Sequence, residues 1–284
     1  MKQNYHSLTA YKVAKLRQEH QVLDSPKVFD DPIASKIIGV QNSQFDKSKR
    51  NILKSHLLRK SRAYLAARSR FVEDTLSSAV NRGIRQYVIL GAGLDTFAYR
   101  NSYSKLGLKV FEVDYPATQT WKRQLLEKEN IPIPDSLTYT DIDFENQSID
   151  NRLKETGFQT SKQTFYSWLG VTMYLEQKIV YSTLKCILSL AGSGSEIVFD
   201  YLVSPFSLTL FQRLVYSAKA YQSKFIAEPF KSSFDPNTIE NNLKDLGFSE
   251  AIDIGPDFIN ERYFGNRADN LSVHGFMHLV KAQV

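Results

Sequence analysis

From residue 86 onward the chain alternates short β-rich runs with helical stretches, and no other feature constrains its fold as tightly. The runs occupy 86–90, 109–113, 137–140, 164–168 and 196–200, with helical patterns over 116–130, 149–156 and 177–190 between them. Strands at this spacing, joined by helical crossovers, form a mostly parallel sheet. Two further strands are predicted at 250–254 and 273–280, with a loop between them. Residues 201 to about 235 break the alternation with an aromatic-rich helical stretch, read as an insertion capping the ligand edge of the sheet. Residues before 86 carry apolar positions at helical spacing, such as Val13, Leu16, Leu57, Leu58 and Leu65. The first two helices are predicted over 9–19 and 32–38, the second opening with Pro32 at its first position behind a capping Asp31.

Composition narrows the function classes. Of 284 residues, 42% are hydrophobic, enough for a large core and too many for a disordered chain. No apolar run approaches the roughly 20 residues of a membrane helix. The opening MKQNYHSLTAYKVAKLRQEH is too polar for a signal peptide, so a soluble cytoplasmic location is expected. The lone Cys186 excludes an internal disulfide and a cysteine-based zinc cluster, and it reads as a core residue of an apolar helix. The net charge of +6 raises nucleic acid as a partner, and five cations fall between Arg59 and Arg70. They are not interleaved with aromatics, and no nucleic-acid-binding motif accompanies them. A solvated helix face is the expectation, with one or two of the arginines available to a small anionic ligand. His274 and His278 are four apart without a third ligand, so no metal is expected.

The sharpest local signal is the apolar run Val88-Ile89-Leu90 passing directly into Gly91-Ala92-Gly93. At the carboxyl end of the first strand of a doubly wound sheet, such glycines let backbone approach a ligand. Thr96 stands where a dinucleotide site needs its third glycine, which argues against NAD. Asp114 ends the second strand 21 residues past Gly93 and suits ribose hydroxyls, although an acid there, taken alone, is more often a cap for the helix beginning at Pro116. A nucleoside ligand without pyrophosphate points to S-adenosyl-L-methionine, whose sulfonium, ammonium and carboxylate call for acids and a cation. Asp141 and Asp143 follow the third strand; Asp143 with Phe144 could flank an adenine, whereas Asp141 reads as an exposed loop carboxylate.

The run Leu90-Gly91-Ala92-Gly93-Leu94-Asp95-Thr96-Phe97-Ala98-Tyr99-Arg100 resembles the signature of the leucine carboxyl methyltransferase family, including its bacterial, polyketide-associated O-methyltransferases. The likeness continues through Phe111-Glu112-Val113-Asp114-Tyr115-Pro116, Asp143-Phe144-Glu145 and Ser167-Trp168-Leu169-Gly170-Val171-Thr172-Met173-Tyr174-Leu175. Upstream it includes Thr9-Ala10 and Phe29-Asp30-Asp31-Pro32. The resemblance implies an α/β class I methyltransferase fold, Rossmann-like, with seven strands of which the last is antiparallel. It implies one domain over 1–284: an N-terminal helical segment (1–85), a cofactor-binding core (86–200), a helical insertion (201–240) and C-terminal strands (241–284). By family position, Gly91 and Gly93 would pass the methionine part of S-adenosyl-L-methionine, Asp114 would hold the ribose, Asp143 with Phe144 would border the adenine, and Asp95 would also belong to the cofactor site. Arg68 would meet the cofactor carboxylate, with Arg70 as competitor. Some members carry Glu where this chain has Leu169, so the cofactor ammonium must here be met by a backbone carbonyl or another group.

The activity implied is O-methyl transfer to a carboxylate or hydroxyl of a small molecule by in-line displacement. The alternative is a non-catalytic module that binds the cofactor, or a protein partner, on the same fold. A carboxylate acceptor needs no base and could pair with Arg17, Arg68 or Arg100. A hydroxyl acceptor needs a base, and no motif names one. Tyr174 and Tyr201 stand after the fourth and fifth strands, either lining the acceptor pocket or as core aromatics. Tyr201, Phe206, Phe211 and Tyr216 are the expected aromatic wall of that pocket.

Overall fold

The computed structural model describes residues 7–39, 52–144, 146–225 and 229–284. Seven strands form one sheet in the order β3-β2-β1-β4-β5-β7-β6. They are β1 (Gln86–Leu90), β2 (Lys109–Asp114), β3 (Leu137–Asp141), β4 (Thr164–Trp168), β5 (Glu196–Leu202), β6 (Glu250–Ile254) and β7 (Met277–Gln283). The first five pair in parallel, whereas β7 is antiparallel to both β5 and β6. Leu90 at the end of β1 sits level with Val113 on one side and Trp168 on the other. The strand order reverses at β1, where β2 and β4 lie on opposite sides. Such a switch point opens a crevice at the carboxyl ends of the strands. This is the α/β, Rossmann-like architecture of class I methyltransferases that the resemblance implied.

Both faces of the sheet are covered, which explains the near-continuous apolar strands. Val88, Leu90, Phe111 and Trp168 pack on one side with Val180, Leu184 and Ile187 of α6 (Gln177–Leu190). Tyr87, Ile89, Val110 and Phe165 pack on the other with Leu76 and Val80 of α3 (Ile52–Asn81). The remaining crossover helices are α4 (Pro116–Lys128), which begins at Pro116, and α5 (Ile149–Glu155). Ahead of α3 lie α1 (Leu8–Leu23), capped by the Ser7 side chain accepting from Ala10 N at 3.1 Å, and the single turn α2 (Ala34–Ile37). The insertion carries α7 (Leu210–Phe225), followed by α8 (Ile239–Leu246) and α9 (Pro256–Phe264).

Several sequence expectations change. Pro32 lies in a turn, and α2 begins at Ala34, whose N–H is capped by Asp31 Oδ1 at 3.0 Å. The last strand starts at Met277 rather than 273, because both backbone groups of Val273 are taken by the Asn260 side chain, at 2.7 and 2.8 Å. The segment between β6 and β7 holds a helix, α9, where only a loop was expected. The basic stretch of α3 is not a solvated face. Arg62 and Arg68 are buried against Asp24 and Asp200, while Arg59 and Arg70 pair near the surface with Asp269 and Asp74. Cys186 is half-buried beside the core rather than inside it. Leu57 and Glu145 lie outside the residues whose side chains are described.

Among the described residues no helix is long and apolar enough to cross a membrane, and no group of three metal-ligating side chains occurs.

Candidate functional site

Gly91 and Gly93 place two positions without side chains in the turn at the end of β1. Gly91 and Gly93 lie at φ +64° and +50°, in the left-handed region that L side chains avoid. A Cβ on Gly91 would collide with Val171 Cγ2, and one on Gly93 would stand 3.1 Å from Ala10 Cβ of α1. The turn is therefore held between the loop after β4 and the N-terminal helix. Asp114, at the end of β2, accepts a hydrogen bond from Gly93 N through Oδ2 and one from Tyr115 N at 2.6 Å through Oδ1. Strand, glycine turn and acid thus meet at one point.

This point faces a cavity of about 260 Å³ at the carboxyl ends of β1, β2, β3 and β4. Its walls include Arg17, Arg68, Gly91, Gly93, Asp95, Asp114, Asp143, Phe144, Leu169 and Tyr174, so most of the residues singled out from the sequence come together here. Thr9, Ala10, Val13 and Ala14 of α1 close one side. Phe144 stacks on Trp168 with centroids 6.0 Å apart and planes at 29°, which offers a flat aromatic wall. Asp143 accepts from Asn146 Nδ2 at 2.9 Å.

Two buried arginines set the electrostatics. Arg68 Nη1 donates to Asp200 Oδ2 at 2.5 Å, and the other oxygen of Asp200 accepts from Gly170 N at 2.6 Å. Asp200 therefore fixes both the guanidinium and the loop that carries Leu169. Sequence reading passed over Asp200; its only local signal is an acid at the end of an apolar strand. Arg17 donates to Asp31 Oδ2 at 2.5 Å and to Thr96 Oγ1 at 2.9 Å, with Asp95 at 3.4 Å. Burial disfavours the Arg17 charge, but Asp31 and then Asp95 outweigh it and raise its pKa. Burial likewise opposes ionisation of Asp31, yet Arg17 and Arg100 hold its carboxyl below the usual range. Among the described residues, Nε of Arg17 and Nε of Arg68 are buried without a hydrogen-bond partner.

A second cavity, of about 930 Å³, adjoins the first and shares Thr9, Val13, Arg68, Gly170 and Tyr174 with it. Its far walls come from α3, from the insertion and from the segments flanking α9. Here the aromatic expectations are corrected. Tyr201 lines neither cavity; it is buried in the sheet, and its hydroxyl donates to Asp253 Oδ1 at 2.7 Å. Of Phe206, Phe211 and Tyr216, only Phe211 lines the large cavity. Phe206 is 90% exposed, and Tyr216 packs on Phe230 and Phe276. Arg100 is also absent from both walls, since Glu73 takes its guanidinium at 2.6 Å. Asp141 is the last residue of β3 rather than a loop residue, and its half-exposed side chain pairs with Arg152.

Comparison with known proteins bears on the family and the fold. The family model for leucine carboxyl methyltransferase matches residues 10–188. A Bacillus subtilis (strain 168) protein, YktD, provisionally named an S-adenosyl-L-methionine-dependent methyltransferase, is 35% identical over 99% of both chains. A Mycobacterium avium (strain 104) protein with the same provisional name is 32% identical over 52% of this chain and 48% of its own. Among solved structures, the CurJ carbon methyltransferase superposes with a TM-score of 0.52 at 14% identity, covering 97% of this chain and 67% of its own. That likeness speaks for the fold alone. The match over residues 10–188, together with the similarity to YktD over 99% of both chains, places this chain in the leucine carboxyl methyltransferase family.

Proposed function

We propose that the protein, an S-adenosyl-L-methionine-dependent methyltransferase by family, methylates a carboxylate or hydroxyl oxygen of a small molecule held in the larger cavity. The observation that carries this reading is the continuity of the two cavities, with Arg68, Gly170 and Tyr174 on the walls of both. One chamber is lined by groups that suit a nucleoside with an amino-acid tail, and the other, of about 930 Å³, has room for an acceptor.

The residues present fit the cofactor. Arg68, buried with an unpartnered Nε, offers a cation to a carboxylate. Asp114 offers acceptor oxygens to ribose hydroxyls once its hold on Gly93 N is shared with them. Phe144 and Asp143 offer a stacking face and an acceptor to the adenine. Gly91 and Gly93 pass the methionine part without side chains in its way, beside Asp95. Leu169 gives the ammonium no acceptor, so that contact falls to a backbone carbonyl or another group of this wall.

The cofactor supplies an activated methyl on a sulfonium, and the protein aligns acceptor oxygen, methyl and sulfur. Alignment of this kind can contribute roughly 7–11 kcal/mol at its limit. The charged lining of the larger cavity suits oxygen. Among the described residues it presents Lys60 and Arg68 as cations against Asp257 as the one acid. Labelled methyl transfer to matched panels of acids, hydroxyls, thiols and amines tests the reading. Esters or ethers are the expected products; methylated nitrogen, sulfur or carbon in their place contradicts it. Tight S-adenosylhomocysteine binding with no transfer to any acceptor would favour the non-catalytic module.

A further inference from the structure

We propose that His278 is the proton acceptor of the reaction and that the methyl acceptor is a hydroxyl whose proton it takes. This rests on the oxygen-methylation reading above and narrows it to one of its two substrate classes. His278 lies on β7 and lines the larger cavity, with 16% of its side chain accessible. Its Nδ1 stands 2.8 Å from Asp253 Oδ2 on β6. In the neutral ring, a proton on Nδ1 is the one a carboxylate can accept from, and that tautomer leaves the Nε2 lone pair free. No hydrogen bond to Nε2 occurs among the described residues. The second oxygen of Asp253 accepts from the buried Tyr201 hydroxyl at 2.7 Å, which fixes the carboxylate in turn. Burial and then Asp253 raise the Tyr201 pKa, so this phenol stays a donor. Tyr201, Asp253 and His278 therefore form a chain that orients an imidazole on the wall of the larger cavity.

The protein contains a second histidine–aspartate pair, and the contrast is informative. His20 Nδ1 meets Asp24 at 2.8 Å, but its Nε2 accepts the backbone N–H groups of Val28 and Phe29 at 3.1 and 3.2 Å. Both nitrogens of that fully buried ring are used, and its role is structural. At His278 the same pairing leaves the outer nitrogen available. The ring packs against Gly255, where an added Cβ would come within 3.1 Å of Cε1, so its plane is held by backbone as well as by Asp253. Among the described residues, the other ionisable groups lining this cavity are Lys60, Tyr64 and Arg68 of α3, Asp257 of α9 and His274. Tyr64 donates to the His278 carbonyl oxygen at 3.5 Å and leaves the imidazole untouched.

In the step proposed, a lone pair of the acceptor oxygen forms the new O–C bond. The S–C pair returns to sulfur, and the hydroxyl proton passes to His278 Nε2. The resulting imidazolium is paired with Asp253 and later releases the proton to water. His278 is the catalytic residue; Asp253 and Tyr201 are positioning residues.

The test compares two phenols of similar shape, para-ethylphenol, which is neutral at mildly alkaline pH, and para-nitrophenol, which is already ionised there. Wild-type protein is expected to methylate both. His278→Gln should lower kcat for para-ethylphenol by about 10²–10⁴-fold, the usual worth of a positioned base. It should leave para-nitrophenol turnover and S-adenosylhomocysteine affinity nearly unchanged. Asp253→Asn, a second variant should the first fold poorly, should reproduce the selective loss in weaker form. Equal loss on both phenols would make His278 structural and overturn the proposal. Failure of the wild type to methylate either phenol while it binds S-adenosylhomocysteine overturns it too, leaving the cofactor reading intact. Absence of that binding in folded wild type removes the methyltransferase site and this inference together.

Discussion

Gly91 and the buried pair Glu112–Lys122 show how single residues set the site and its support. Alanine at Gly91 would meet about 1–2 kcal/mol of left-handed strain, and its Cβ would push Val171 out of the cavity wall. Gly91→Ala is therefore predicted to weaken S-adenosylhomocysteine binding by at least about tenfold, or ~1.4 kcal/mol. A Val171→Ala change in the same chain should restore part of the loss; calorimetry that finds full affinity in Gly91→Ala would show that no ligand approaches this turn. Beneath the site, Lys122 Nζ lies 2.6 Å from Glu112 Oε2, and both side chains are sealed from solvent. Burial pushes the Glu112 carboxyl up to about 7, although Lys122 pulls the other way. Removing one partner of such a pair strands the other charge at a cost of about 3–5 kcal/mol. Lys122→Met should show that loss in urea unfolding, and Glu112→Gln with Lys122→Met should recover most of it. The glycine turn and Asp114 were legible in the sequence because strand, turn, strand and acid follow one another along the chain. Asp200 and His278 were not, because their partners are set by tertiary packing: Arg68 lies 132 residues from Asp200, and Asp253 lies 25 from His278. Tyr201 was misplaced because β5 is buried along its whole length, so alternation along the strand carries no signal of which side chains reach the cavity.

The N-terminal helices are tied to the sheet by charge as much as by apolar contact. Asp24, just past α1, receives Arg62 of α3 through Nε at 2.6 Å and Nη2 at 2.7 Å, and His20 at 2.8 Å. Burial opposes its charge, but the Arg62 and His20 hydrogen bonds win and depress its pKa from 3.8 to about 2. Because the folded-state value is the lower one, the stabilisation is present above pH 3.8 and is lost as pH falls toward 2. At 1.36 kcal/mol per pKa unit, the swing is about 2 kcal/mol. The stability gap between wild type and Asp24→Asn should therefore narrow by that amount between pH 4 and pH 2, as read from denaturant midpoints; a constant gap would show that Asp24 titrates normally. Element types followed closely from the sequence wherever apolar periodicity was long, as in α4, α6 and β1 to β5. The errors fall where a side chain diverts backbone from its pattern. Asn260 takes both polar groups of Val273 and delays β7, and Asp31 caps Ala34 and shortens α2.

Taken whole, the molecule carries two chambers that share Arg68, Gly170 and Tyr174 on their walls. The sheet ends and α1 enclose the smaller, while α3, α7 and the segments around α9 enclose the larger. Substrate choice and cofactor affinity should thus be separable. Phe211→Ala and Val215→Ala, on the insertion wall of the larger chamber, should reorder acceptor preference in a competition assay and leave S-adenosylhomocysteine affinity within about twofold, a change of ~0.4 kcal/mol. Unchanged preference would mean that the insertion does not contact the acceptor. The central claim is that the turn between Gly91 and Asp95, with Asp114 opposite, is the cofactor site. Its most direct test is calorimetric titration of the wild-type protein and Asp114→Ala with S-adenosylhomocysteine, with NADH as a control ligand. Saturable binding by the wild type, lost in a folded Asp114→Ala and absent for NADH, is the predicted result. Equal binding by both proteins, or none by a folded wild type, would contradict it.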